Sequence, residues 1–120
     1  MIDELYQEKL LEHYRHPSHY GLKDNCGIDV KGDNPLCGDN IVMRVKLENG
    51  IVSDVCFDSN GCVVSRASAS IMSEYVIGKT KEEVNKLTVA EVLAIIGVPI
   101  SQARVKCALL FIEILKKAIN

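Results

Sequence analysis

IVMRVKLENGIVSDVCFD, residues 41–58, decides the fold, because it contains two alternating segments joined by a turn. In the first segment apolar residues occupy every second position, which is the pattern of a half-buried strand: Ile41, Met43, Val45 and Leu47. A second strand is predicted over residues 51–58, and Glu48-Asn49-Gly50 between them is a hairpin signal. The stretch therefore predicts an antiparallel hairpin.

Two registers of this hairpin are compatible with the sequence. A two-residue turn at Asn49-Gly50 would oppose Met43 to Cys56 and bury the neighbouring aspartates. A three-residue loop with a left-handed Gly50 would oppose Met43 to Val55, and we favour it.

The favoured register has two consequences for cysteines. Cys56 shares a side with two aspartates, so we expect it to face solvent. By extrapolation Cys37 lies opposite Gly61, which brings Cys62 to the same end of the hairpin as Cys37 and Asp39.

Helices are predicted on both sides of the hairpin, with a short strand near residues 28–31. Apolar spacings of three and four predict a helix over 3–15, and a Ser/Ala-rich helix over 62–77 ends at Gly78. Two capping boxes, at Thr80 and Thr88, predict helices over 81–87 and 89–96. A long terminal helix is predicted from Pro99 to about Ala118.

Composition limits the function classes. The 120 residues, 48% of them hydrophobic, suit one domain, 1–120. A net charge of -2 and only four Tyr, two Phe and no Trp disfavour nucleic-acid binding. We expect no membrane span and no export signal, hence a cytoplasmic protein. Five cysteines in a reducing compartment indicate metal or sulfur chemistry more than disulfides.

Asn34-Pro-Leu-Cys-Gly-Asp39 has the outline of a ligand-bearing loop, with a thiol and a carboxylate two positions apart. A small buried Cys37 and a turn residue at Asp39 are the alternative. Cys62 is predicted at the first position of its helix, where the macrodipole favours a thiolate. It could instead be a small residue filling a tight junction.

The remaining cysteines and the histidines are less informative. Cys107 lies near the start of the terminal helix and could be a core residue or a third thiol ligand. Arg104 and Lys106 beside it would suit a bound anion, or form a solvated face. Cys26 has no periodic context and is treated as incidental. His13, His16 and His19 cannot share one helical face, because the helix ends before Pro17.

Several motifs, in order along almost the whole chain, resemble the U-type iron-sulfur cluster assembly scaffolds, the IscU, SufU and NifU N-terminal family. The motifs are His13-Tyr-Arg-His-Pro17, Asn34-Pro-Leu-Cys-Gly-Asp39, Gly61-Cys62 with Ala67-Ser-Ala-Ser70, and Arg104-Val-Lys-Cys107. The resemblance implies a small α/β (α+β) fold of the SufE/NifU-like type, with helices packed on a three-stranded antiparallel sheet.

The resemblance also implies a site and a function. Cys37, Asp39, Cys62 and Cys107 would bind a transient [2Fe-2S] cluster, or Zn2+ in the same place. Cys107 and Cys37 would be the sulfur acceptors, with supporting charge from Arg104 and Lys106. The implied partners are a pyridoxal-phosphate cysteine desulfurase, iron and electron donors, and apo recipient proteins. Such a chain is a scaffold and sulfur acceptor rather than an enzyme.

The sequence departs from both known branches of this family. Lys106 stands where many members carry a histidine, and Arg104-Val-Lys-Cys107 looks like the zinc-binding, sulfur-accepting branch. The insertion usual in that branch does not fit between Cys62 and Cys107, and the chaperone-recognition segment of the other branch is missing, which speaks against an Hsp70 partner. Three hypotheses stay open: a cluster scaffold, a zinc-dependent sulfur acceptor, and a structural zinc-binding interaction module.

Overall fold

The computed structural model describes residues 4–24, 26–34 and 38–120 of the chain. The elements follow one another as α1 (Glu4–Arg15), β1 (Ile28–Asn34), β2 (Asp39–Glu48), β3 (Ile51–Asn60), α2 (Val63–Val76), α3 (Lys81–Asn85), α4 (Val89–Ile96), a 3-10 turn (Gln102–Arg104) and α5 (Val105–Ile119). The strands form an antiparallel sheet in the order β1-β2-β3, with helices packed on it. The predicted fold class is confirmed.

The predicted register of the hairpin is wrong. Asn49 and Gly50 form a two-residue turn in which both have positive φ, 54° and 77°, so that Glu48 pairs with Ile51. A bulge then leaves Ser53 unpaired, and Met43 pairs with Phe57 instead of Val55. The tight turn fits the strand twist, and the extra residue restores the apolar residues of both strands to one face.

That apolar face carries the core, against α2 and α5. Phe57 is fully buried, and its ring meets Phe111 of α5 edge to face, with centroids 5.9 Å apart. At Gly32 a Cβ would collide with the Ile114 side chain, so this glycine lets α5 approach β1 closely. The buried side of α2 contains mostly small residues, among them Ala67, Ser68, Ala69, Ser70 and Ser73.

Local signals predicted most helices correctly. Both capping boxes are present: the Thr80 and Thr88 hydroxyls accept N–H bonds from Glu83 and Glu91, whose carboxylates bond back to the cap amides. The helix after Thr80 is two residues shorter than predicted. Helix α4 ends at Gly97, which has φ 71°.

The start of the terminal helix differs from the prediction. Ser101 is extended, a 3-10 turn follows, and α5 begins only at Val105. Proline suits a first helical turn but does not force one, and here the chain stays extended beyond it. Cys107 consequently lies in the first turn of α5.

The face opposite the helices is covered by residues 21–24, 26 and 27, which we call the strap. The Gly21 amide donates to the Phe57 carbonyl at the edge of β3, and the chain then crosses the sheet to reach β1. The strap buries Cys56 completely, so the expectation that this thiol faces solvent is wrong. An irregular segment has no periodicity from which such a cover could be predicted.

Among the residues described, no helix is long and apolar enough to cross a membrane.

Candidate metal centre

Three elements end or begin at one corner of the sheet, and each contributes one side chain. Asp39 is the first residue of β2, Cys62 is the N-cap of α2, and Cys107 is in the first turn of α5. The Cys62 sulfur accepts the Ser65 N–H at 3.4 Å, as N-cap side chains do. Two helix N-termini therefore direct their positive ends toward this corner.

Asp39 is held at this corner by the backbone. It is only 1% exposed, and its Oδ1 accepts the Cys62 N–H at 2.9 Å. Gly61 packs against the carboxylate, since a Cβ added there would lie 2.6 Å from Oδ1. The favoured register predicted Cys37 opposite Gly61. In the structure, Asp39 lies there instead.

The Asp39 carboxylate, the Cys62 sulfur and the Cys107 sulfur lie within 4.8 Å of one another. Within the described ranges they are the one group of three or more Cys, His, Asp or Glu side chains arranged in this way. Asp39 Oδ2 and Cys62 Sγ are 3.7 Å apart. Ligands on a tetrahedral zinc ion at ordinary bond lengths are separated by about 3.5 Å, so this pair fits one ion with little movement.

The other predicted site residues divide into two groups. Cys37 lies outside the residues that the structure describes. Arg104 and Lys106 are exposed beside the buried Cys107, so both cationic side chains are accessible at this end of α5. Cys107 and Arg104 each have an interaction partner.

The two other cysteines and the histidines lie elsewhere. Cys26, on the inner side of the strap, and Cys56, on β3, meet on the opposite face of the sheet, and neither is in a disulfide. His13 bonds through Nδ1 to the Ser70 hydroxyl of α2 at 2.7 Å, which is a partly buried contact between two helices. His19 has φ 59° and a buried Nδ1 with no hydrogen-bond partner.

One charged residue near Cys62 was not predicted. Arg66, four residues into the same helix, places its guanidinium 4.3 Å from the Tyr20 ring centroid and 5.3 Å from that of Tyr14. The pKa of Tyr20 is raised by burial and by the hydrogen bond that the Tyr20 hydroxyl donates to Asp58. The i, i+4 spacing indicates from the sequence that Arg66 lies on the same face of the helix as Cys62. The two tyrosines that contact Arg66 come from a separate segment, so these contacts could not be predicted from the spacing.

Comparison with known proteins agrees with this architecture. The profile of the NifU-like N terminal domain matches residues 5–120. The zinc-dependent sulfurtransferase SufU of Bacillus subtilis is 33% identical over 98% of this chain and 91% of its own length. The iron-sulfur cluster assembly scaffold protein IscU of Streptococcus pyogenes is 36% identical over 99% of this chain and 85% of its own length.

A solved structure gives the same result. The crystal structure of an iron-sulfur cluster assembly scaffold protein for the SUF system from Fervidobacterium islandicum superimposes with a TM-score of 0.80. It is 26% identical, and the match covers 98% of both chains. Family profile, relatives and fold agree along nearly the whole length, and the chain therefore belongs to the family of NifU-like N-terminal domains that includes IscU and SufU.

Proposed function

We propose that this chain is a scaffold for iron-sulfur cluster assembly, with Cys37, Asp39, Cys62 and Cys107 as the ligands of a transient [2Fe-2S] cluster. The observation that carries the proposal is the convergence of Asp39, Cys62 and Cys107 within 4.8 Å. The membership of the family adds to it, because an IscU relative is named as such a scaffold.

The donor set suits a cluster that must be passed on. Thiolates are the usual ligands of iron-sulfur clusters, whereas a carboxylate is a harder and more exchangeable ligand. Cys62 is only half-buried, so this thiol is reachable from outside, while Asp39 and Cys107 are covered. A cluster bound here has one accessible side and three ligands fixed by secondary structure. In this role the chain receives iron, electrons and sulfur from donors and delivers the cluster to apo recipients.

Anaerobic reconstitution tests the scaffold function. The full chain is incubated with ferrous iron and sulfide, desalted, and analysed for iron, sulfide and a visible charge-transfer absorption. We expect about two irons per chain or per dimer, and loss of the absorption in Cys62→Ala. Cys26→Ala removes a thiol outside this site and should keep it. A chain that retains zinc but no iron under these conditions would overturn the scaffold function.

A second candidate, a zinc-dependent sulfur acceptor, is favoured by the mutual approach of all three donors. The Asp39 carboxylate and the sulfurs of Cys62 and Cys107 lie within 4.8 Å of one another, which suits ligands of one tetrahedral ion. The ligands of a [2Fe-2S] cluster are divided between two irons, so part of this donor set would have to separate to bind it. The SufU relative from Bacillus subtilis is named zinc-dependent.

In that role one thiolate receives sulfur from the persulfide of a cysteine desulfurase. The thiolate of Cys107 or Cys37 attacks the outer sulfur of the donor persulfide, a new S–S bond forms, and the donor S–S bond breaks. The donor leaves as a thiolate, the proton of the persulfide stays on the transferred sulfur, and no net oxidation occurs. Arg104 and Lys106 provide positive charge beside Cys107 for the anionic groups involved.

Metal content and mass separate the two candidates. For a sulfur acceptor, we expect one zinc per chain as purified and a mass increase of about 32 Da after incubation with a cysteine desulfurase and cysteine. Lys106→Gln should slow the transfer without lowering the zinc content. Unchanged desulfurase turnover and mass, with or without zinc, would exclude this second function.

A further inference from the structure

Cys26, on the strap, and Cys56, on β3, are two thiols that do not belong to the candidate metal centre. Both are fully buried. The Cys26 thiol donates to the Arg44 carbonyl at 3.3 Å, and Cys56 is the strand partner of that same Arg44. The Cys56 sulfur accepts the Lys23 N–H at 3.4 Å, while the Cys26 amide donates to the Lys23 carbonyl. The two cysteines thus share both of their backbone neighbours, which places their side chains next to each other on this face of the sheet.

The backbone holds this arrangement in place. Gly27 has φ 108°, and a Cβ there would collide with the Val45 carbonyl, so the chain folds tightly over β2 immediately after Cys26. The Arg44 guanidinium donates to the Lys23 carbonyl at 2.9 Å from the same face of the sheet. The strap cannot lift from the sheet without losing these contacts, so the thiols stay together in the folded chain.

We propose that Cys26 and Cys56 are a disulfide-forming pair, an oxidisable site separate from the metal centre, which fastens the strap to β3 when it is oxidised. The ring so closed contains β1, β2 and the segment between them, including Cys37 and Asp39. Oxidation therefore restricts the part of the chain that carries two of the four proposed ligands.

The oxidant is a low-molecular-weight disulfide, RSSR. When the strap opens transiently, the otherwise fully buried Cys56 sulfur attacks one sulfur of RSSR as a thiolate, forms a mixed disulfide and releases RS⁻. The Cys26 thiolate then attacks the Cys56 sulfur, closes the protein disulfide and releases the second RS⁻. Two protein thiols lose two electrons and two protons, and RSSR is reduced to two RSH.

The environment makes this reaction slow at neutral pH. Burial, followed by the hydrogen bond to Cys56, raises the pKa of Cys26 to about 12. The negative charge of Asp54 on β3 acts in the same direction, and Lys23 on the strap opposes it, while Arg44 on β2 faces Cys56. Since only the thiolate reacts, closure should accelerate as the pH rises.

The test uses the full chain and a variant in which Cys37, Cys62 and Cys107 are all serine, so that only the buried pair remains. Each is incubated with oxidised glutathione at pH 7 and pH 9. In the triple serine variant we expect an intact mass lower by about 2 Da, faster at the higher pH. In the full chain, whose accessible Cys62 can also form a glutathione adduct, the readout is a non-reduced peptide map that joins Cys26 to Cys56. Closing a ring of roughly 30 residues should raise the unfolding midpoint by about 5–15 °C.

Matched substitutions identify the pair. Cys26→Ala and Cys56→Ala should each abolish the mass loss, and Cys26→Ser serves if the alanine variant does not fold. If the triple serine variant does not fold, the peptide map of the wild-type chain decides. The proposal would be overturned if both thiols survived oxidation at pH 9, or if the disulfide joined other cysteines instead. It would also be overturned if glutathione adducts at Cys26 or Cys56 never closed to a disulfide. None of these results depends on metal binding or cluster assembly.

Discussion

Gly61→Ala should disturb the corner at which the three donors meet, although the residue carries no functional group. The new Cβ would lie 2.6 Å from Asp39 Oδ1, while ordinary contacts begin at 3.4 Å. The carboxylate must therefore retreat by about 0.8 Å. Its hydrogen bond from the Cys62 N–H, now 2.9 Å, would lengthen by up to the same amount, to at most about 3.7 Å, and weaken or break.

The cost can be bounded from this geometry. A buried hydrogen bond to a charged group contributes about 1.5–3 kcal/mol to the free energy of unfolding. Replacing glycine by alanine returns about 0.4–1 kcal/mol by restricting the unfolded chain. We therefore expect Gly61→Ala to lower the free energy of unfolding by about 0.5–2.5 kcal/mol, measured by urea denaturation at neutral pH in the presence of a chelator.

A double-mutant cycle isolates the proposed contact. In an Asp39→Ala background the carboxylate is gone, so Gly61→Ala should become close to neutral or slightly stabilising. The change of sign is the diagnostic result, because a general defect of the turn before α2 would cost the same in both backgrounds. Equal effects of Gly61→Ala with and without the Asp39 carboxylate would refute this explanation of the glycine.

Three further outcomes follow from contacts outside the metal centre. Ser70→Ala removes the buried acceptor of the Ser18 N–H, 2.7 Å away, and should lower the free energy of unfolding by about 1–3 kcal/mol in urea titrations. Tyr20→Phe should cost only about 1 kcal/mol, because the ring that stacks on the guanidinium remains, and Tyr20→Leu should cost more. Bonds from the Thr80 backbone and then from its side chain lower the pKa of Glu83, so an NMR titration should give a midpoint below 4.5. The stabilisation from Glu83 is then complete above pH 4.5 and is lost as the pH falls through that lower midpoint; a midpoint at or above 4.5 would contradict it.

The predictions that the structure confirms depended on local chemistry. Each capping box is contained within four residues, so Thr80 and Thr88 identify their helices without reference to the rest of the chain. Gly97 ends α4 in the left-handed conformation, which favours glycine, so this single residue is enough to predict the end of the helix. The alternating apolar residues likewise determine which face of each strand is buried, whatever the exact partner opposite.

The predictions that failed depended on packing between distant segments. The register differs because a bulge at Ser53 compensates for the tight turn, and nothing in the local sequence distinguishes this combination from a longer loop. Cys56 is buried because the strap crosses it, and the strap has neither helical nor strand periodicity. The donors of the candidate metal centre could be named from motifs, but the support that Gly61 gives Asp39 depends on interatomic contact.

Burial does not distinguish the cysteines at the metal centre from those under the strap, since Cys107 and Cys26 are both completely inaccessible. The hydrogen bond that the sulfur accepts does distinguish Cys62 from Cys26. The Cys62 thiol donates to Asp39 Oδ2 at 3.7 Å, but its sulfur also accepts an N–H from Ser65, and that bond remains when the thiol loses its proton. Cys26 donates its proton to a backbone carbonyl, and ionisation would turn this contact into a repulsion. The same fold therefore stabilises the ionised form of Cys62 with an amide at a helix N-terminus and the protonated form of Cys26 with a strand carbonyl.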